Sequence, residues 1–183
     1  MAAQLKELRE VHKEFIKAQP IFFVGTAAAE GRINVSPKGM DTLRVLDEHT
    51  VLWLNLTGSG NETAAHLLKN NRMTIMFCAF EDPPLILRLY GDCDTYHPRD
   101  AEYQKYIDLF PADVAGARQI MKLNIEMVQT SCGYGVPYME FKAERTRLQE
   151  WAKAKTDEEL WAYWEKKNQK SIDGFDTAIF ANE

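Results

Sequence analysis

With 183 residues, 45% of them hydrophobic, the chain is long enough for one sizeable core and points to a single domain. Its formal charge of -5, without any cluster of lysines and arginines, argues against a nucleic-acid surface, whose affinity rests on neutralising many phosphates. The N-terminal stretch MAAQLKELREVHKEF is charged throughout and has neither a signal peptide's apolar run nor a membrane span, so a cytoplasmic protein with no membrane partner is expected.

Leu5, Leu8, His12 and Phe15 recur at helical spacing until Gln19 and Pro20 end the run. The period then changes. IFFVGTA (21–27), RINVSP (32–37), TLRVL (42–46), VLWLNL (51–56), MTIMFCAF (73–80) and LILRLYGDCDTY (85–96) are short and rich in branched or aromatic residues, which predicts strands. The connectors AAEG, DEHT and EDPP are short and carry turn residues, so neighbouring strands should be antiparallel. A helix is expected around 101–109, followed by MKLNIEM (121–127), whose alternation predicts a half-buried strand. Helical spacing returns with Tyr138, Phe141, Arg145, Leu148 and Trp151, and Thr156 with Glu159 has the form of a capping box ahead of Trp161 and Trp164. No repeat or flexible linker divides these parts. The expected class is α+β, a compact antiparallel barrel with helices outside. An N-terminal helix and barrel would occupy 1–137, with a helical C-terminal extension over 138–183 packed on the same domain.

The stretch LTGSGNETAAHLL (56–68) has two readings. In one, Gly58 and Gly60 make a tight turn and Asn61 or Thr63 caps a helix over 64–69. In the other, the same turn cradles a phosphate at a helix N-terminus, with Ser59, Asn61 and Thr63 as donors and Glu62 turned toward solvent or Lys69. It matches neither a Walker loop nor a dinucleotide fingerprint. Nearby, RINVSPKGMDTLR (32–44) places Arg32, Lys38 and Arg44 near strand ends, with Ser36 as a neutral donor. Together these would complement a dianionic phosphate; singly, each is a solvated strand-end charge. In TSCGYGVP (130–137), two glycines bracket Tyr134 and let backbone approach a flat ligand, unless the segment is an ordinary loop. Cys78, Cys93 and Cys132 form no disulfide or zinc pattern, and His12, His49, His66 and His97 no metal-ligand spacing. Cys132 reads as a small buried residue rather than a reactive thiol.

Taken in order, INVSPKG (33–39), the run over 47–80 and TSCGYGVP resemble the FMN-binding split barrel of the pyridoxamine 5'-phosphate oxidase-like superfamily, over roughly 21–137. The resemblance implies an antiparallel split β-barrel of six or seven strands that binds FMN across a two-fold homodimer. It places Val35, Ser36, Pro37 and Lys38 along the flavin, with Lys38 foremost, and Leu56 and Thr57 beside the cofactor. It assigns Asn61, Glu62 and Thr63 to the phosphate turn, with Ser131 and Cys132 as further cofactor contacts.

Two departures stand out. Where the authentic oxidase has Arg-Lys in the phosphate turn, this chain has Glu62 and Thr63, so positive charge must come from Lys38, Arg32 or Arg44. The oxidase's C-terminal Arg-x-His is missing from KNQKSIDGFDTAIFANE (167–183), which implies a relative distinct from that enzyme. The implied function is an FMN-dependent oxidoreductase acting on an unidentified small molecule, with NAD(P)H as electron source. No catalytic side chain is assigned, since the isoalloxazine carries the redox chemistry. A deazaflavin in place of FMN, or a non-catalytic protein that binds or senses flavin or haem, are the alternatives.

Overall fold

The computed structural model describes residues 2–180; Met1 and the 181–183 end of the predicted tail lie outside the described residues. Eight strands form one antiparallel sheet: β1 (Ala3–Leu5), β2 (Phe22–Thr26), β3 (Asn34–Lys38), β4 (Leu43–Val45), β5 (Thr50–Leu56), β6 (Arg72–Cys78), β7 (Ile86–Tyr96) and β8 (Ala117–Ser131). Seven of them run in the order β3-β2-β6-β7-β8-β5-β4, and the short β1 adds to β8. The two edges, β3 and β4, are consecutive in the chain and joined by a tight turn through Met40 and Asp41, both in the left-handed region. The sheet therefore curls into a barrel left open between its edges, the split barrel expected from the sequence.

Alternation explains most of the strands. In β2, Phe22, Val24 and Thr26 face inward, and in β6 Met73, Ile75 and Phe77 do the same. They meet Trp53, Leu89 and Leu123 in the main core, which α1 (Glu10–Ala18) and α2 (Glu62–Lys69) complete with Ile16, Ala64 and Leu67. The other face of β5 and β8 offers Leu52, Leu54 and Ile120 to Tyr103 of α3 (Ala101–Ile107) and to Phe110. Covered on both faces, β5 is buried from Val51 to Asn55, which is why it reads as a continuous apolar run. The long partners β7 and β8 bend at a bulge beside Gly91, where a Cβ would overlap the Asn124 carbonyl oxygen.

Two expectations are corrected. Residues 3–5 are a strand rather than the start of a helix: they pair with Val128, Gln129 and Thr130, past the end of β5, and cover an edge of β8 left bare there. Residues 138–146 have no regular structure. Tyr138 and Phe141 are exposed, and without an apolar face to bury, helical spacing alone does not stabilise a helix. Helices resume at α4 (Arg147–Lys153) and α5 (Asp157–Lys167). The latter opens on the predicted capping box, in which Thr156 Oγ1 accepts from Glu159 N and Glu159 Oε2 accepts from Thr156 N at 2.9 Å.

Candidate functional site

The edge strand β3 tolerates Pro37 because one side of its ladder has no partner strand. Its alternation sorts the predicted residues into two sets. Val35 and Pro37 are exposed, together with the neighbouring Ile33, while Asn34, Ser36 and Lys38 turn inward. Asn34 donates to Thr63 Oγ1 at 3.3 Å, tying β3 to the first turn of α2. Ser36 Oγ is buried without a hydrogen-bond partner. Lys38 Nζ lies 4.8 Å from the centre of the Trp53 ring, and burial together with the charge of Arg118 pulls its pKa down to about 8.

The turn between β5 and α2 is folded onto the C-terminal segment. Thr57 Oγ1 donates to the Gly116 carbonyl and accepts from Trp164 Nε1, each at 2.8 Å. Asn168 Nδ2 donates to the Gly58 carbonyl, and Thr177 Oγ1 to the Asn168 carbonyl. Asn61 occupies the N-cap position of α2, but its side chain does not cap the helix as expected. Its amide instead donates toward the Asn168 carbonyl at 3.4 Å, and its Oδ1 is buried without a partner. Glu62 is half-buried and does not pair with Lys69: in an exposed contact its carboxylate accepts from the backbone N–H of Ile172 at 3.1 Å. Trp164, Asn168 and Ile172 lie more than a hundred residues along the chain from this turn, beyond the reach of any local pattern.

One residue of this cluster was missed. The β5–β8 register passes from Asn55 opposite Gln119 to Leu56 opposite Ala117, so Arg118 is the extra residue of a bulge. Such an insertion re-aims a side chain that strict alternation would send elsewhere. Arg118 is 2% exposed, and its Nη1 donates to the Gly60 carbonyl (3.1 Å) and to Asn168 Oδ1 (2.8 Å). Burial lowers its pKa to about 10, so it stays charged at neutral pH. Among the described residues no carboxylate pairs with Lys38 or Arg118. A signal was available: extending the alternation of Met121, Leu123 and Ile125 back by one step puts the polar Gln119 on the apolar face.

The other two predicted cations are committed elsewhere. Arg32 forms an ion pair with Asp173, whose carboxylate also accepts from the Arg32 backbone N–H at 2.7 Å. Arg44 grips Asp41 through both terminal nitrogens and donates to the Leu109 carbonyl at 2.7 Å, which fixes the β3–β4 turn. Ser131 and Cys132 lie at the far end of β8, roughly 40 Å of strand from Arg118. There Ser131 accepts from Arg88, and Cys132 is exposed rather than buried. A cavity of about 240 Å³ opens at that end of β8, lined by Phe80, Pro84, Gly133, Tyr134 and Tyr138. A single chain thus ties the turn over 57–63 to Arg118 and the C-terminal segment and brings Lys38 close to Arg118, while Ser131 and Cys132 lie at the other end of β8 from Arg118.

Residues 8–132 match the family model for pyridoxamine 5'-phosphate oxidase. The pyridoxamine 5'-phosphate oxidase family protein ustO of Aspergillus flavus is 36% identical over 179 residues, covering 88% of this chain and 72% of that one. Two solved structures share the fold. One, from Lactobacillus delbrueckii and provisionally described as a pyridoxamine 5'-phosphate oxidase, has a TM-score of 0.54 at 19% identity, covering 68% of this chain and 94% of its own. The other, a FAD-binding protein of Mesorhizobium loti, has a TM-score of 0.51 at 11% identity, covering 71% and 97%.

Proposed function

The chain belongs to the pyridoxamine 5'-phosphate oxidase family, and on that premise we propose that it is an FMN-binding flavoprotein, an oxidoreductase acting on a small molecule other than pyridoxamine phosphate. The observation that carries the reading is Lys38: a half-buried ammonium over Trp53, without a carboxylate, on the strand that the family resemblance assigns to the flavin. The unpartnered Ser36 Oγ supplies a donor on the same face. Gly58 leaves the backbone of the adjoining turn open, since a Cβ there would meet nothing nearer than 4.0 Å, whereas at Gly60 it would lie 3.3 Å from Glu62 Oε1. These features fit an anionic cofactor. The side chains of Thr57, Asn61, Glu62 and Thr63 fit it less well, being engaged in bonds to the tail and to Asn34, so the turn would contribute backbone donors rather than side chains.

A bound flavin supplies the electron or hydride acceptor on its own ring, and the protein has to bind and orient it. In this reading Lys38 holds the negative charge of the cofactor and Ser36 fixes an oxygen or nitrogen on its edge, while Val35 and Pro37 turn to the opposite face of β3. Ser131 and Cys132 would join the site from a second copy of the chain, as the family resemblance implies for FMN bound across a homodimer. The exposed Ile33 and Val35 supply apolar surface suited to such a contact.

The test is an absorption spectrum of the purified protein, repeated after NADH or NADPH is added without air. Paired flavin bands that bleach support the proposal. Bands that persist with both donors overturn the oxidoreductase part and leave a binding or sensing protein, and a Soret band in their place would establish the haem alternative.

A further inference from the structure

Polar groups buried in a folded chain nearly always find a partner. In this barrel, three donors on two strands, β3 and β8, are left without one. Ser36 Oγ on β3, Arg118 Nε in the β8 bulge and Gln119 Nε2 beside it are all buried and unpartnered. Gln119 is fixed by its other end, since its Oε1 accepts from Asn55 Nδ2 of β5 at 3.0 Å. Lys38 adds an ammonium close enough to Arg118 for the two charges to oppose each other. Glu62 and Asp173 are engaged by other donors: Glu62 accepts from the Ile172 N–H and Asp173 pairs with Arg32.

Donors left unsatisfied around two like charges are arranged for a group that brings several acceptor oxygens and negative charge. We infer that Lys38 and Arg118, with Ser36 and Gln119, form one site for a compact oxyanion, a phosphate monoester or a carboxylate. Arg118 then supplies from β8 the cation that the Glu62-Thr63 turn lacks. Its bonds to Gly60 and Asn168 hold the guanidinium in place while leaving Nε to the ligand. The inference rests on the flavin reading only where the oxyanion is the cofactor's own phosphate; an anionic second ligand would use the same donors.

Calorimetric titration with inorganic phosphate at constant ionic strength tests the site in the wild type and in Lys38→Met, Arg118→Gln and Arg118→Lys. Saturable binding is expected in the wild type, weakened at least about tenfold by Lys38→Met and Arg118→Gln, with Arg118→Lys between. No saturable binding, or binding that neither neutral variant changes, overturns the inference. Should Arg118→Gln fail to fold, Lys38→Met at its partly exposed position decides. Parallel titrations with FMN and riboflavin separate the sources. If FMN excludes phosphate, and the preference for FMN over riboflavin collapses in Arg118→Gln while riboflavin affinity holds, the oxyanion is the cofactor's phosphate. If FMN-loaded protein still takes phosphate and that preference survives, the oxyanion belongs to a second ligand. Phosphate binding by a protein that takes up no flavin would sustain this site and defeat the flavin reading.

Discussion

Replacing Lys38 by Met should make the ligand-free protein more stable. The folded chain holds this amine at a pKa of about 8 against the ordinary 10.5, because burial and Arg118 both disfavour the charged form. A tenfold displacement of a proton equilibrium is worth about 1.4 kcal/mol, so the charged lysine costs on the order of 3 kcal/mol at neutral pH. Solvent reaching the partly exposed amine reduces that figure, and a gain of about 1 to 3 kcal/mol is expected from Lys38→Met, which keeps the length of the stem. The sign follows from linkage. The folded value lies below the unfolded one, so between about 8 and 10.5 the unfolded chain holds the extra proton and wild-type stability rises with pH. The advantage of the variant should be largest below pH 8 and fade as the pH approaches 10.5. Urea denaturation of both proteins at pH 7 and pH 10 measures it. A variant less stable than wild type at pH 7, or a difference independent of pH, would refute the reasoning.

Two further outcomes follow from the packing. Trp164→Phe removes the donor to Thr57 Oγ1 while the ring remains, at a cost of about 1 kcal/mol. Trp164→Ala also empties a buried site and should cost about 3–5 kcal/mol by denaturant unfolding; values near zero for both would mean that the tail is not packed on the turn. Gly91→Ala forces a Cβ into the Asn124 carbonyl, backbone against backbone, and should cost about 3 kcal/mol or more; a variant melting with the wild type would contradict the β7–β8 bulge.

The strands were legible because they obey a period of two: Phe22, Val24 and Thr26, or Met121, Leu123 and Ile125, declare their buried face in the sequence. Short turn-rich connectors gave the antiparallel pairing, and Thr156 with Glu159 gave the start of α5. The family resemblance implies β3 as the cofactor strand, a proposal that flavin binding tests, and the structure shows which of its residues turn inward. Arg118 was not legible, since a bulge is a change of register and leaves no mark on composition. Nor were the fates of Glu62, Arg32 and Thr57, whose partners Ile172, Asp173 and Trp164 come from the other end of the chain. Tyr138 and Phe141 misled for the opposite reason: their spacing is local, but whether a helix forms depends on a surface to cover it.

The most direct measurement is a fluorescence titration of FMN with the purified, cofactor-free protein. Saturable quenching at one flavin per chain, weakened in Lys38→Met, is the expected result. Flavin fluorescence that stays unchanged across the titration would contradict the assignment of this barrel end to a flavin.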